Sequence, residues 1–385
     1  MMTAYRKLII LLVDLLIIFA ANYISLGNEE ILNNIYVVVS ALGEVHDQYD
    51  DQFALPNTKI CKLIFNKKNF AAKFITIKEI EALQTQSIEI YYDYNLMLVS
   101  TSIDEIWSAY LNVYFIDLNR LWEERKPYKQ HDVYEILYPA TISGKDQLIS
   151  YTYGKIPVVK SIDPDTLKET SLKLDNIPFS RKRTKFIITA DGKLKYDEFG
   201  MENYYYQYIL PQQIYKDQQK QKITLIEETK KYVVLQMFPE NNIVIYDKSK
   251  KVWSRYLTAS DGADCIVIND IIVGRCFKKA SEPHTPGKYT GEWVLINAKN
   301  KSTLNIKFSI DETIIFATEN FILTTIGNKF MYYPLTVNKV LLNKKKVIYE
   351  DRQEDIGTRN EIVPFIIYAF FGPKDIPDNL KINCQ

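Results

Sequence analysis

The chain has 385 residues, 47% hydrophobic and 25% charged, the make-up of a folded soluble protein with one large domain or two ordinary ones. That excludes a disordered chain, a collagen-like repeat and a polytopic membrane protein. With 48 Lys plus Arg against 47 Asp plus Glu, it has no overall electrostatic pull toward nucleic acid.

Arg6 and Lys7 precede an apolar run, LIILLVDLLIIFAA, over residues 8–21. A short positive flank followed by such a run is the layout of a secretory signal, and Ser25 and Gly27 suit a cleavage after Gly27. Extended over residues 8–26, the run reaches the length of a retained transmembrane anchor. Asp14 opposes insertion by about 2.5–3.5 kcal/mol, which the surrounding Leu and Ile outweigh. A buried helix is the third reading. The expectation is a signal peptide or membrane anchor at 1–27 and one exported domain at 28–385, secreted, periplasmic or on the cell surface. Removing 1–27 takes away Arg6, Lys7 and Asp14, and the remainder is charge-balanced.

Asp47, Asp50 and Asp51, in the run HDQYDD, offer oxygen ligands to calcium. The alternation and closing Glu of an EF-hand are missing, so a solvated loop is the better reading.

From about residue 35 onward, β-rich runs alternate with polar turn clusters. One pattern recurs: a strand, an Asp or Asn, a short charged turn, then a return strand. It is centred on Asn66, Asp117, Asp163, Asp247 and Asn297, with a degraded copy near Leu335. Asp and Asn suit the turn because their side chains bond the backbone two residues on. The interval from Asp163 to Asp247 is close to two periods, which predicts a hidden unit near residue 205, in ENYYYQYILPQQIY. A second hairpin precedes several copies, as in IEIYYDYNLMLVST and ITLIEETKKYVVLQMF. Two hairpins per period of roughly 45 residues make a four-stranded blade. KEIEALQ at 78–84 and QQIYKDQQKQ at 212–221 are the helix candidates.

The expected fold is all-β, a β-propeller of about seven four-stranded blades, with six or eight allowed. Two β-sandwich domains meeting near 175–185 are the alternative. In pattern and period the chain resembles exported β-propeller proteins whose degenerate blades carry a D-x-x-x-K-type turn between outer strands. It lacks the Gly-His and Trp-Asp dipeptides of WD40 blades and the double glycine of kelch blades.

Candidate binding residues are the basic cluster containing Arg181 and Arg183, suited to an anionic group, and Tyr204, Tyr205 and Tyr206. Strand alternation must expose at least one of those tyrosines. Trp122 and Trp253 follow their turn aspartates at similar distances and read as equivalent strand positions. Cys265 and Cys276 flank a hairpin turning at Asn269-Asp270. They form either a disulfide or two buried thiols, because that turn places Cys265 opposite Gly274. His46, His131 and His284 sit in no catalytic motif, and no phosphate-binding or nucleotide-binding loop occurs. No cofactor is implied. The sequence favours an exported, non-catalytic protein that holds a protein or glycan on a propeller face. The alternative is a glycosidase or lyase using paired carboxylates.

Overall fold

A computed structural model describes residues 34–46, 51–54, 58–65, 72–80, 85–102, 111–130, 132, 135–152, 158–173, 182–197, 205–215, 222–238, 242–256, 262–268, 270–278, 288–310, 312–319, 321–328, 331–341, 344–350, 363–375 and 377. The first group of strands is β1 (Ile35–His46), β2 (Asp51–Ala54), β3 (Thr58–Phe65) and β4 (Ala72–Ile80). β5 (Thr85–Tyr91), β6 (Leu96–Ser102), β7 (Leu111–Asp117) and β8 (Tyr128–Lys129) follow. Next come β9 (Glu135–Ile142), β10 (Lys145–Thr152), β11 (Val158–Ile162) and β12 (Glu169–Ser171). Three shorter strands, β13 (Lys185–Ile188), β14 (Lys193–Tyr196) and β15 (Tyr205–Ile209), lead into one helical turn at Gln212–Tyr215. Then come β16 (Lys222–Glu228), β17 (Tyr232–Phe238), β18 (Asn242–Asp247) and β19 (Val252–Tyr256). β20 (Gly262–Ile268), β21 (Ile271–Lys278), β22 (Lys288–Asn297) and β23 (Thr303–Lys307) form the next group. The last strands are β24 (Glu312–Ala317), β25 (Phe321–Asn328), β26 (Met331–Leu341), β27 (Lys344–Glu350) and β28 (Val363–Phe371).

Six antiparallel sheets result among the described residues. Four are simple meanders, β5 to β8, β9 to β12, β20 to β23 and β24 to β27. In the first sheet β1 lies between β3 and β28, so Ile35 faces Phe371 and the two ends of the chain complete one blade. The sixth sheet has seven strands, because β13 pairs with β16 and adds β13 to β15 to the meander β16 to β19.

The buried side chains explain why these sheets form a ring. Period-two alternation sends successive residues of a strand to opposite faces. In β1, Tyr36 and Val38 join a core shared with β5 to β7, while Ile35 and Val37 join one shared with β20 to β25. In β17, Val233 and Leu235 face a core reaching β5 to β15, while Tyr232 and Val234 face one shared with β20 to β22. In β22, Trp293 and Leu295 point one way and Val294 and Ile296 the other. Each sheet therefore packs on the next, and the last returns to the first. This is a β-propeller. Burial on both faces explains why the strands read as continuous apolar runs instead of alternating ones. Two separate sandwiches are excluded, because one core runs from Tyr91 to Val244 across the expected boundary.

The turns before the outermost strands repeat one geometry. Asp163 Oδ1 accepts the amides of Asp165 at 2.9 Å and Thr166 at 2.8 Å. Asp247 Oδ1 accepts those of Ser249 at 3.0 Å and Lys250 at 3.1 Å. Asn297 Oδ1 accepts those of Lys299 at 2.9 Å and Asn300 at 3.3 Å. The fourth residue after each, Leu167, Lys251 or Lys301, has φ of 58°, 56° or 62°. Non-glycine residues thus occupy left-handed positions where blade turns often use glycine, which fits a chain of 13 glycines.

Three expectations are corrected. Leu335 lies inside β26, and the return of that blade falls between Leu341 and Lys344, because the apolar run continues through Val337, Val340 and Leu341. Lys78 to Ile80 end strand β4, which pairs with β3, so the helix expected at 78–84 does not begin there. Trp122 sits in the turn after β7, whereas Trp253 is in β19, so the two are not equivalent. In the second helix candidate, the described part is one turn, and residues 216–221 lie outside the described residues.

Candidate functional site

Unlike inner strands such as β18, the strands β13 to β15 bury only one face. Phe186, Ile188, Leu194, Tyr196 and Tyr206 enter the core shared with β9 to β11. The alternate residues Lys185, Ile187, Lys193, Tyr205, Gln207 and Ile209 are exposed. Tyr205 is 54% exposed and Ile209 55%, whereas Tyr206 between them is 4%. Ile187 adds a third large apolar side chain to the outer face. Register carries this face onto β16, where Lys222 stands opposite Ile187.

A chain of aromatic rings supports the sheet from beneath. Phe186 meets Tyr206 at 5.1 Å between centroids, Tyr206 meets Tyr208 at 5.4 Å, Tyr208 meets Tyr246 at 5.0 Å, and Tyr246 meets Trp253 at 4.8 Å. Tyr206 and Tyr208 donate their hydroxyls to Glu228, whose carboxylate also pairs with Lys248 at 2.6 Å. Desolvation, followed by the Glu228 charge, pushes the Tyr206 hydroxyl well above its usual range. The exposed face is therefore mounted on a packed, hydrogen-bonded layer.

A second polar group lies where β5, β16 and the segment before β13 converge. Glu227 is buried and pairs with Lys182 at 3.2 Å. The same ammonium donates to the Ile90 carbonyl at 2.6 Å and lies 4.4 Å from the Tyr91 ring centre. Burial pushes the Glu227 carboxyl up, opposed by Lys182 and reinforced by Asp93 and Glu89. Glu89 accepts the Tyr91 hydroxyl and Asp93 accepts the Lys230 amide. Each of these three carboxylates is thus engaged by protein donors. The arrangement ties the second sheet to the seven-stranded one. Nearby, Lys230 pairs with Asp146 at 2.6 Å and Lys231 with Asp270 at 3.4 Å, linking the first-hairpin turns around the ring.

The other sequence candidates are dispersed. Asp47, Asp50, Tyr204, Arg181, His131 and His284 lie outside the described residues. Asp51 begins β2 opposite His46. Among the described residues, no three His, Cys, Asp or Glu side chains gather as metal ligands. Arg183 is exposed at the edge of β13, with φ of 64°. Cys265 and Cys276 are buried thiols that form no disulfide, with Cys265 opposite Gly274 and Cys276 opposite Ala263. The disulfide reading of that pair is therefore set aside in favour of the buried thiols. Burial pushes the Cys265 thiol above its usual range, which disfavours the reactive thiolate.

Ile187, Lys193, Lys195, Ile209 and Lys222 were not singled out from sequence. The signal for them was Asp191-Gly192, a strong hairpin dipeptide between β13 and β14, with Gly192 at φ 80°. Ser143-Gly144, both at positive φ, marks the β9–β10 hairpin in the same way.

No protein-family model and no curated protein matches the chain. Among solved structures, it is similar to the CNH domain of AfRom2, with 14% identity over 76% of this chain and 92% of that one, at a TM-score of 0.38. It is also similar to the Pan2 WD40 domain of Neurospora crassa, with 10% identity over 70% and 80%, at a TM-score of 0.37. The propeller assignment rests on this chain's own sheets and cores.

Proposed function

We propose that the chain is an exported, non-catalytic interaction protein, with residues 28–385 forming one propeller that docks a protein partner on the outer face of β13 to β15. The observation that carries this reading is a supported sheet with one face in the core and Ile187, Tyr205 and Ile209 on the other. Exposed aromatic and aliphatic side chains on a rigid layer are what interface centres are built from. The buried carboxylates are consumed by ion pairing and hydrogen bonds, which favours holding over acid–base chemistry. Export is supported by Arg6, Lys7 and the apolar run after them.

A photo-crosslinking residue at Gln207 tests the docking face in the producing cell, with Lys307 on β23 as the comparison site. An adduct with a protein at Gln207 and none at Lys307 is expected; no adduct at Gln207 overturns the docking face. Sequencing the mature N-terminus tests export. A start near Asn28, or an intact chain in the membrane fraction, is expected, and an intact chain in the cytosol overturns it.

A further inference from the structure

We propose that the outer face of β13 to β15, with the start of β16, receives an extended acidic segment of the partner polypeptide. This rests on the docking reading above and adds the charge class of what is held. Register sets Lys222, Ile187, Lys195 and Tyr205 in one row across four strands. At about 4.8 Å per strand the row is about 14 Å long. Lys193 and Ile209 form a second row. On the other side, Lys185 lies opposite Thr224 and beside Asp197.

Among the described residues, four lysines therefore share this surface with two carboxylates, Asp191 and Asp197. Asp191 is taken by Lys193 at 2.7 Å. Among the described residues no carboxylate pairs with Lys185, Lys195 or Lys222. The lysines supply attraction at a distance, and the apolar side chains supply area that gains from being covered. A second copy offers no complementary bias, because the whole chain is close to charge-balanced. Side chains on one sheet face stand roughly perpendicular to it, so no apolar wedge reaches beyond the ammonium groups into a bilayer. A sulfated glycan would answer the lysines and leave Ile187 and Ile209 wet. An extended peptide turns every second side chain toward the sheet, so a segment whose inward-facing residues mix acidic and apolar side chains matches both.

The test is fluorescence anisotropy with a short labelled peptide of repeated Glu-Ser-Leu-Ser, whose every second side chain alternates Glu and Leu, at low and at physiological salt. The paired change Lys195→Glu and Lys222→Glu is expected to weaken binding by tenfold or more, on the order of 1.4 kcal/mol. Tyr205→Ser weakens it too, Lys307→Glu leaves it unchanged, and added salt weakens it. Tyr205, Lys222 and Lys307 are exposed and Lys195 is half-buried, and circular dichroism checks that each variant folds. The proposal is overturned if the double charge reversal has no effect, if the same peptide with Lys in place of Glu binds as well, or if phosphatidylserine vesicles or heparin bind in preference. An adduct at Gln207 together with lysine-independent peptide binding would remove the charge class and leave the docking face standing. Absence of that adduct would remove the docking face itself.

Discussion

Tyr36, in the first strand, donates its hydroxyl to the carbonyl of Pro373, just beyond the last strand, at 2.8 Å. The Tyr36 ring also stacks on Phe370 at 5.8 Å between centroids. The backbone of Gly372 presses against this ring. A Cβ placed there would lie 2.6 Å from Tyr36 Cδ2 and 3.1 Å from Leu121 Cδ1.

Gly372→Ala is therefore expected to destabilise the protein by about 1–3 kcal/mol through overpacking. Thermal unfolding followed by circular dichroism reads this directly. An unchanged Tm would show that the junction of the two chain ends is looser than described.

The left-handed lysines of the outer turns lead to the opposite expectation. Lys251 and Lys301 carry a Cβ at positive φ, which costs about 1–2 kcal/mol relative to glycine, offset in part by the greater freedom of an unfolded glycine. Lys251→Gly and Lys301→Gly should each stabilise by about 0.5–1 kcal/mol. The urea midpoint should rise with the slope unchanged. A lowered midpoint would mean that the lysine side chains contribute more than their backbone strain removes.

Asp247 gives a dependence on acid. Hydrogen bonding from Ser249, aided by the Lys250 amide and side chain, holds its carboxyl down to about 2. A carboxyl lower in the folded than in the unfolded chain stabilises above its unfolded value, and that contribution disappears as pH falls toward the folded value. Asp247→Asn keeps the accepting oxygen, as Asn297 does in its own turn, so it should cost little at neutral pH and flatten the loss of stability from about pH 4 to about pH 2. Asp247→Ala removes the acceptor and should cost about 1 kcal/mol at any pH above that range. Equal acid sensitivity in Asp247→Asn and the parent would assign the effect to other carboxyls.

Glu227 has the reverse sign. Its carboxyl is raised by burial, so the stability tied to its protonated form is present below the unfolded value and lost as pH rises through the folded one. Lys182→Met leaves that carboxylate buried and unpaired at neutral pH, with an expected cost of about 3–5 kcal/mol. Lowering the pH should recover part of the loss, since protonation then relieves the burial. The double variant Lys182→Met, Glu227→Leu should lie close to the parent. A single variant as stable as the parent at neutral pH would mean that Glu227 finds water or another donor.

The outer turns were legible in the sequence because Asp163, Asp247 and Asn297 make local hydrogen bonds that depend on nearby residues alone. The return near Leu335 was misplaced because its blade lacks such an aspartate, and an apolar strand gives no internal mark of where it stops. β13 to β15 were expected as a normal blade, since period counting registers length and not whether a second face is covered. Tyr204, Tyr205 and Tyr206 stand out in the sequence as a run, and alternation assigns Tyr205 and Tyr206 to opposite faces. Their lysine neighbours come from other strands, so cross-strand register was needed to gather them. The pairing of Glu227 with Lys182 joins residues from separate units, and no spacing in the chain announces it.

Burial of both faces of a strand carries a hidden cost in specificity. In an ordinary half-exposed sheet, sliding a strand by one residue throws its apolar side chains into water, so misalignment penalises itself. Here Val233 and Val234 are both destined for dry surroundings, and a slipped β17 would still be covered. Choosing the correct alignment then falls to the differing sizes of the neighbours and to the hydrogen-bonded corners at Asp163, Asp247 and Asn297. Those corners act as index pins. Weakening one of them should produce misaligned, long-lived conformers as well as a lower melting temperature.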